Sequence, residues 1–145
     1  MKRVWLAGLL CAALATLVTS SQAIDAATIT VTNANDSGPG SLRDTITSAA
    51  DGDQVNFDET LSGTTIHLTS GEILIDKNLE IIGRGPELTV ISGAEPLDGP
   101  FRVFHIPAAV SVTITNLTLT GNQYYGGGIY TEGNLRMTDS TIGFN

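Results

Sequence analysis

Residues Val110 to Asn145 repeat themselves. Val112, Ile114, Thr115, Asn116, Thr118, Leu119 and Asn122 recur as Leu135, Met137, Thr138, Asp139, Thr141, Ile142 and Asn145, all at one constant offset along the chain. Thr115/Thr138, Thr118/Thr141 and Asn122/Asn145 are identities and the rest match in class, and Ile106 and Ile129 keep the same offset just upstream. A fixed period of about 20–50 residues marks stacked structural units. Inside each unit the pattern is β: Val112, Ile114 and Leu117/Leu119 alternate with Ser, Thr and Asn, and β-branched residues suit a pleated, half-buried surface. One such unit cannot bury its apolar face alone. Stacking equivalent units pairs their strands in parallel and piles equivalent side chains into columns.

The corners agree with this arrangement. Gly121-Asn122, Gly126-Gly127-Gly128 and Gly133-Asn134 supply residues that tolerate positive φ. Asn116 and Asp139 share one register position, and Asn122 and Asn145 another, where stacked amides can form a hydrogen-bonded ladder. Upstream, the chain reads as short strands at 27–32, 54–57, 64–69, 73–75, 79–82, 88–91 and 101–106, separated by Gly, Asn, Asp and Pro turns. Gly93 to Pro100 is a Pro/Gly-rich loop expected to protrude. A single helix of about ten residues is expected from Ser41, where Ser41 is the N-cap and Asp44 stands at the capping-box position. Leu42, Ile46 and Ala49 lie on one face of it, so the helix is expected to lid the open apolar end of the first rung. The expected fold is therefore an all-β, right-handed parallel β-helix with a short N-terminal capping α-helix. Its hand follows the preference of parallel crossovers. The pattern stops at Phe144-Asn145 without a cap, which leads to the expectation of a chain truncated at its C terminus. That edge would pair with missing rungs or another copy.

The segment from Met1 to Ala23 stands apart. Met1-Lys2-Arg3 is basic, Val4 to Val18 is apolar, and Ser21-Gln22-Ala23 ends in small residues. This is the pattern of a secretory signal peptide, with cleavage expected after Ala23. The apolar run is short for a span of about 20 residues, so no stable membrane span is expected after cleavage. Cys11, within that run and preceded by Leu10, does not fit a lipidation site. Residues 24–145 then form the N-terminal cap and first rungs. Their net charge, −8 for the whole chain, moves to about −10 without Lys2 and Arg3. That balance argues against nucleic acid as a partner. The only cysteine and the only tryptophan, Trp5, also leave, so no disulfide framework is expected.

Two segments resemble a known family. Gly40-Ser41-Leu42-Arg43-Asp44-Thr45-Ile46, followed by Ala50-Asp51-Gly52-Asp53-Gln54-Val55-Asn56-Phe57, resembles the CSLREA N-terminal region of bacterial secreted right-handed β-helix proteins. Gly71 to Gly83 is similar to the part that follows it. Gly126-Gly127-Gly128-Ile129-Tyr130 resembles the rungs of pectin-lyase-like and polymorphic outer-membrane repeats. Gly40, Asp44 and Thr45 depart from the family's Cys, Glu and Ala. The resemblance implies export and a solenoid; it implies no particular activity.

Enzymes of this architecture need carboxyl groups facing one groove, about 5–10 Å apart for glycoside hydrolysis. No paired-Asp strand motif or Gly-His-Gly is present. Arg102 and Arg136 are read as lacking acidic neighbours on adjacent rungs, and Glu132 as a turn residue. No catalytic residue, metal ligand or cofactor is assigned. Asp51-Gly52-Asp53 with Asp58-Glu59 is read as a helix stop and a turn rather than a calcium loop. His67 and His105 are read as isolated packed or surface residues, and Arg43 and Asp44 as solvent or cap contacts. Tyr124 and Tyr125 are the ligand-binding candidates, a small aromatic platform for a sugar. The function expected is that of an exported cell-surface or secreted structural or adhesive module. Its expected partners are a surface polysaccharide or another cell-surface protein. The alternative is the N-terminal part of a polysaccharide lyase or glycoside hydrolase.

Overall fold

The computed structural model describes residues 26–93, 102–121 and 128–144. The signal-peptide segment and the Tyr124/Tyr125 candidates lie outside these residues, as do most of the Gly93–Pro100 loop and Asn122 and Asn145. The described chain winds as a parallel β-solenoid of about four turns. It opens with β1 (Thr28–Val31) and one helix, α1 (Leu42–Ser48). The first full rung is β2 (Gln54–Phe57), β3 (Thr64–His67) and β4 (Ile73–Leu74). The second is β5 (Leu79–Ile82), β6 (Thr89–Ser92) and β7 (Phe104–Ile106). The third is β8 (Ser111–Thr115), β9 (Thr118–Gly121) and β10 (Ile129–Thr131), and the fourth adds β11 (Asn134–Thr138) and β12 (Thr141–Phe144). The strands form three parallel sheets. The first runs β1-β2-β5-β8-β11, the second β3-β6-β9-β12 and the third β4-β7-β10.

Alternation within each strand sends every second residue inward. The first sheet stacks Ile29, Val55, Ile81, Ile114 and Met137 in one column. The second stacks Ile66, Ile91, Leu119 and Ile142, and the third Ile73, Phe104 and Ile129. Val55, Ile81, Ile91, Ile114, Leu119 and Phe104 are fully buried. Burying one such side chain contributes about 1.5–3 kcal/mol, and each rung supplies one or more per sheet. The columns loosen on the last rung, where Leu135 and Met137 are half-buried and Ile142 is 41% exposed.

The register of the repeat holds where the sequence places it. Val112 pairs with Leu135, Ile114 with Met137, Thr115 with Thr138, Thr118 with Thr141 and Leu119 with Ile142. It does not extend to Ile106 and Ile129. Ile129 pairs with Phe104, and Ile106 with Thr131. The reason is the turn between the third and first sheets. It spans Pro107 to Val110 in one rung, with Ala109 at φ 69, but only Glu132-Gly133 in the next.

The corner ladder also lies elsewhere than expected. Asn116 and Asp139 do share a position, but what they share is backbone: both are left-handed, at φ 57 and 49, and the Asn116 N–H donates to Thr138 O at 3.2 Å. The side-chain ladder runs where the chain enters the first sheet. Asp51 Oδ1 accepts the Asn78 N–H at 2.8 Å, and Asn78 Oδ1 accepts the Ser111 N–H at 2.7 Å. The Asn134 amide then donates to Ser111 Oγ at 3.4 Å.

The helix caps the first rung as its apolar face requires: Leu42, Ile46 and Ala49 are buried, and α1 packs on β1. It is seven residues long, shorter than the pattern suggests. Ser41 Oγ accepts the Asp44 N–H at 3.2 Å, the expected N-cap. At the other end Lys77 Nζ donates to Thr47 O and Ala49 O, at 3.0 and 3.1 Å. The buried Asp53 carboxylate accepts the N–H groups of Ala50 and Ala27, at 2.7 and 2.9 Å. Asp58 caps a single 3-10 turn by accepting from Thr60 N at 2.9 Å. Asp51, Asp53 and Asp58 each accept a backbone N–H in the turns of this acidic stretch.

Gly83 marks a close backbone approach between rungs. A Cβ there would overlap the Asn116 carbonyl oxygen and come within 2.7 Å of Leu117 Cβ. Backbone cannot yield as a flexible side chain can. Gly83→Ala is therefore expected to destabilise by about 1–3 kcal/mol. Gly143→Ala, where a Cβ meets nothing within 4 Å, should be near neutral. Urea unfolding of both variants measures the contrast, and equal stability of the two would contradict the close approach.

Candidate functional site

Alternation also decides what faces outward. On the third sheet, Ile73, Phe104, Ile106 and Ile129 point in or lie half-buried, so Leu74, His105 and Tyr130 point out. The register aligns them, Leu74 with His105 and His105 with Tyr130. Leu74 is 51% exposed and Tyr130 37%. Three rungs thus build one outward column of an aliphatic, an imidazole and a phenol.

Charged groups border this ledge. His105 Nδ1 lies 3.2 Å from Glu72 Oε1, within ion-pair distance. His105 Nε2 is shut off from solvent and has no partner among the described residues. The rings of His105 and Tyr130 are 5.0 Å apart and tilted by 55°. The Arg102 guanidinium carbon lies 4.4 Å above the Tyr130 ring, a cation–π contact. Tyr130 OH donates to Glu132 Oε1 at 3.2 Å.

Glu72 also ties the ledge to the N-terminal cap. Arg43, on the first turn of α1, donates Nη1 to Glu72 O at 2.9 Å and Nη2 to Gly71 O at 2.6 Å. The same guanidinium pairs with Asp36 Oδ1 at 3.0 Å. Ser70 Oγ and Thr69 Oγ1 donate to the other Asp36 oxygen. One run of contacts therefore leads from the cap, through Asp36, Arg43 and Glu72, to the rings of His105 and Tyr130. Burial opposes ionisation of Asp36. The hydrogen bonds from Ser70 and Arg43, the Arg43 charge and the Thr69 backbone outweigh it and hold the carboxyl below its ordinary value.

These contacts correct the sequence reading at His105 and add to it at Arg102 and Glu132. His105 is not isolated: it sits between a carboxylate and an aromatic ring. Arg102 has a partner on the next rung, and that partner is a ring rather than an acid. Glu132 does lie in a turn, but it holds the Tyr130 hydroxyl. Arg43 makes the cap contact expected of it and also reaches along the chain to the carbonyls of Gly71 and Glu72. His67, outward on β3 and exposed, is a surface residue, as its sequence context suggests. The alternation Phe104-His105-Ile106 shows that His105 faces outward. Its neighbours could not be found without the register of β4, β7 and β10.

A second concavity, a shallow cleft of about 330 Å³, is lined by Asn56, Phe57, Ile82, Gly83 and Arg84. Arg84 Nε is held by Ser62 Oγ at 3.0 Å, and no ionisable pair converges there among the lining residues. The ledge is the richer site. Comparison of the chain with protein-family models, curated proteins and solved structures gave no match.

The Asp36 cluster generates a pH prediction. Its folded carboxyl ionises below the ordinary value of 3.8. Its stabilising contribution is therefore full above about pH 3.8 and is lost as pH falls through the lower folded value. Asp36→Asn should lower the unfolding midpoint at neutral pH, with a gap from wild type that narrows below pH 3.8. Thermal unfolding from acid to neutral pH checks this, and a gap that widens in acid would contradict it.

Proposed function

We propose that this chain is an exported β-solenoid module whose role is structural or adhesive display at the cell surface or in the extracellular medium. The observation that carries this reading is the build of the third-sheet ledge on a stiff stack: rigid rungs, one capped end, and an outward column whose carboxylates are engaged within the molecule. Glu72 is engaged by His105 and Glu132 by Tyr130. Such an arrangement suits contact with a partner better than proton transfer, which needs a group free to exchange with substrate. The resemblance of residues 40–57 and 71–83 to the CSLREA-type region of secreted β-helix proteins supports the same reading. So does the basic-apolar-small pattern of residues 1–23.

Display is a property of location and accessibility, so both are measured. In a bacterial host carrying the native gene, the protein should leave the cytosol with a mature N terminus at Ile24. It should also be released or degraded when intact cells are treated with protease. A chain retained in the cytosol with Met1 in place would overturn the proposal.

A further inference from the structure

We propose that the outward ledge of the third sheet docks an arginine- or lysine-rich segment of a partner protein; this rests on the display reading and specifies its partner. Four large apolar side chains stay exposed among the described residues, Leu74, Leu88, Tyr130 and Ile142. Two of them, Leu74 and Tyr130, share this column. By contrast, the outward positions of the second sheet are Thr65, His67, Val90, Ser92, Thr118, Thr120, Thr141 and Gly143, a face without carboxylates.

The ledge combines apolar surface with acids at its margins. Glu72 lies just before Leu74 in sequence, and Glu132 follows β10 and reaches back to Tyr130. Basic side chains fit such a surface because they are two-part: their methylene stems cover apolar groups while their charged heads reach out to carboxylates. A stem over Leu74 would bring its head to Glu72, and a second would bring its head to Glu132. The ledge already holds such groups from within, since the Arg102 guanidinium covers Tyr130 and the His105 imidazole lies against Glu72. The chain's net charge of −8 would steer a basic partner toward it. A sugar ring fares worse, because stacking on the Tyr130 face under Arg102 would require Arg102 to leave.

The probe is a short fluorescein-labelled peptide of alternating arginine and alanine, titrated with the chain at physiological ionic strength and read by anisotropy. Glu72→Gln with Glu132→Gln should weaken binding by about tenfold or more, the loss of two close charge pairs. Leu74→Ser should also weaken it. The charge-matched control, Glu59→Gln with Glu87→Gln, alters exposed acids away from the ledge and should change binding by about twofold or less. Thermal unfolding confirms that each variant is folded. Should Glu72→Gln fail to fold, Glu132→Gln alone, on an exposed turn, keeps the comparison open. Equal losses in the two double variants would overturn the proposal, because the attraction would then be diffuse charge. So would an absence of peptide binding, or displacement of the peptide by a neutral dextran. None of these outcomes alters the export and protease result, so failure of the ligand class and failure of the display reading are distinguishable.

Discussion

Every feature of this molecule depends on one constraint: neighbouring rungs must keep a parallel register in all three sheets at once. A strand cannot slip by a single residue without turning its inward column to solvent. Ile81 paired with Ile114, Ile91 with Leu119 and Phe104 with Ile129 are therefore not separate contacts but one condition stated three times around the turn. Differences in rung length must be absorbed at corners. Loop closure grows only slowly more costly with length, so the turn at Pro107–Val110 can exceed its counterpart at Glu132-Gly133 without disturbing either sheet. The αL residues Asn116 and Asp139 and the close pass at Gly83 belong to the corner between the first and second sheets. That corner too changes length, from six residues after β2 and β5 to two after β8 and β11.

The same constraint makes the ledge. Nothing local selects Leu74, His105 and Tyr130 as neighbours: a full turn of the solenoid separates each from the next. Burial of Ile73, Phe104 and Ile106 obliges the residues between them to face out, and the register sets them side by side. Their contacts with Glu72, Arg102 and Glu132 come from residues just outside the strands, where turns can reach back over the sheet. A binding surface thus arises on a scaffold whose own stability is decided on its inner face. Substitutions on the ledge can alter recognition while leaving the columns intact.

What could be read from the residues follows the same division. The inner columns of the last two rungs, the Ser41 cap and the buried face of α1 were legible, because each is set by spacing within a few residues or by one repeat of constant length. The position shared by Asn116 and Asp139 was legible, but its use was not, since a left-handed corner and an amide ladder favour similar residues. The Asp51–Asn78–Ser111 ladder and the ledge were not legible. Both join rungs of unequal length. Val112 pairs with Leu79 on one side and with Leu135 on the other, and the chain between the first two is much the longer, so no fixed period exists to follow. Gly40 shows how a single position can carry a local demand. It stands at φ 79, its carbonyl accepts the N–H groups of Thr32 and Asn33, and a side chain there would strike Thr32. A residue with a Cβ would be strained in that turn.

The charge distribution sharpens what the surface can meet. Among the described residues the cations are Arg43, Lys77, Arg84, Arg102 and Arg136. Arg43 is held by Asp36 and the carbonyls of Gly71 and Glu72, Lys77 by the carbonyls ending α1 and by Asp76, Arg84 by Ser62, and Arg102 by Tyr130. All but Arg136 are thus seen engaged within the molecule. Arg43 ties the cap to the first rung, and Lys77 closes the helix C-terminus. Acids such as Glu59 and Glu87 stay exposed on the outside. Arg43 and Lys77 spend their donors largely on backbone carbonyls, whereas Arg84 gives one N–H to Ser62 and Arg102 faces a ring. The exposed carboxylates keep their acceptors. Among the described residues acids outnumber cations, and that excess favours partners that bring donors of their own.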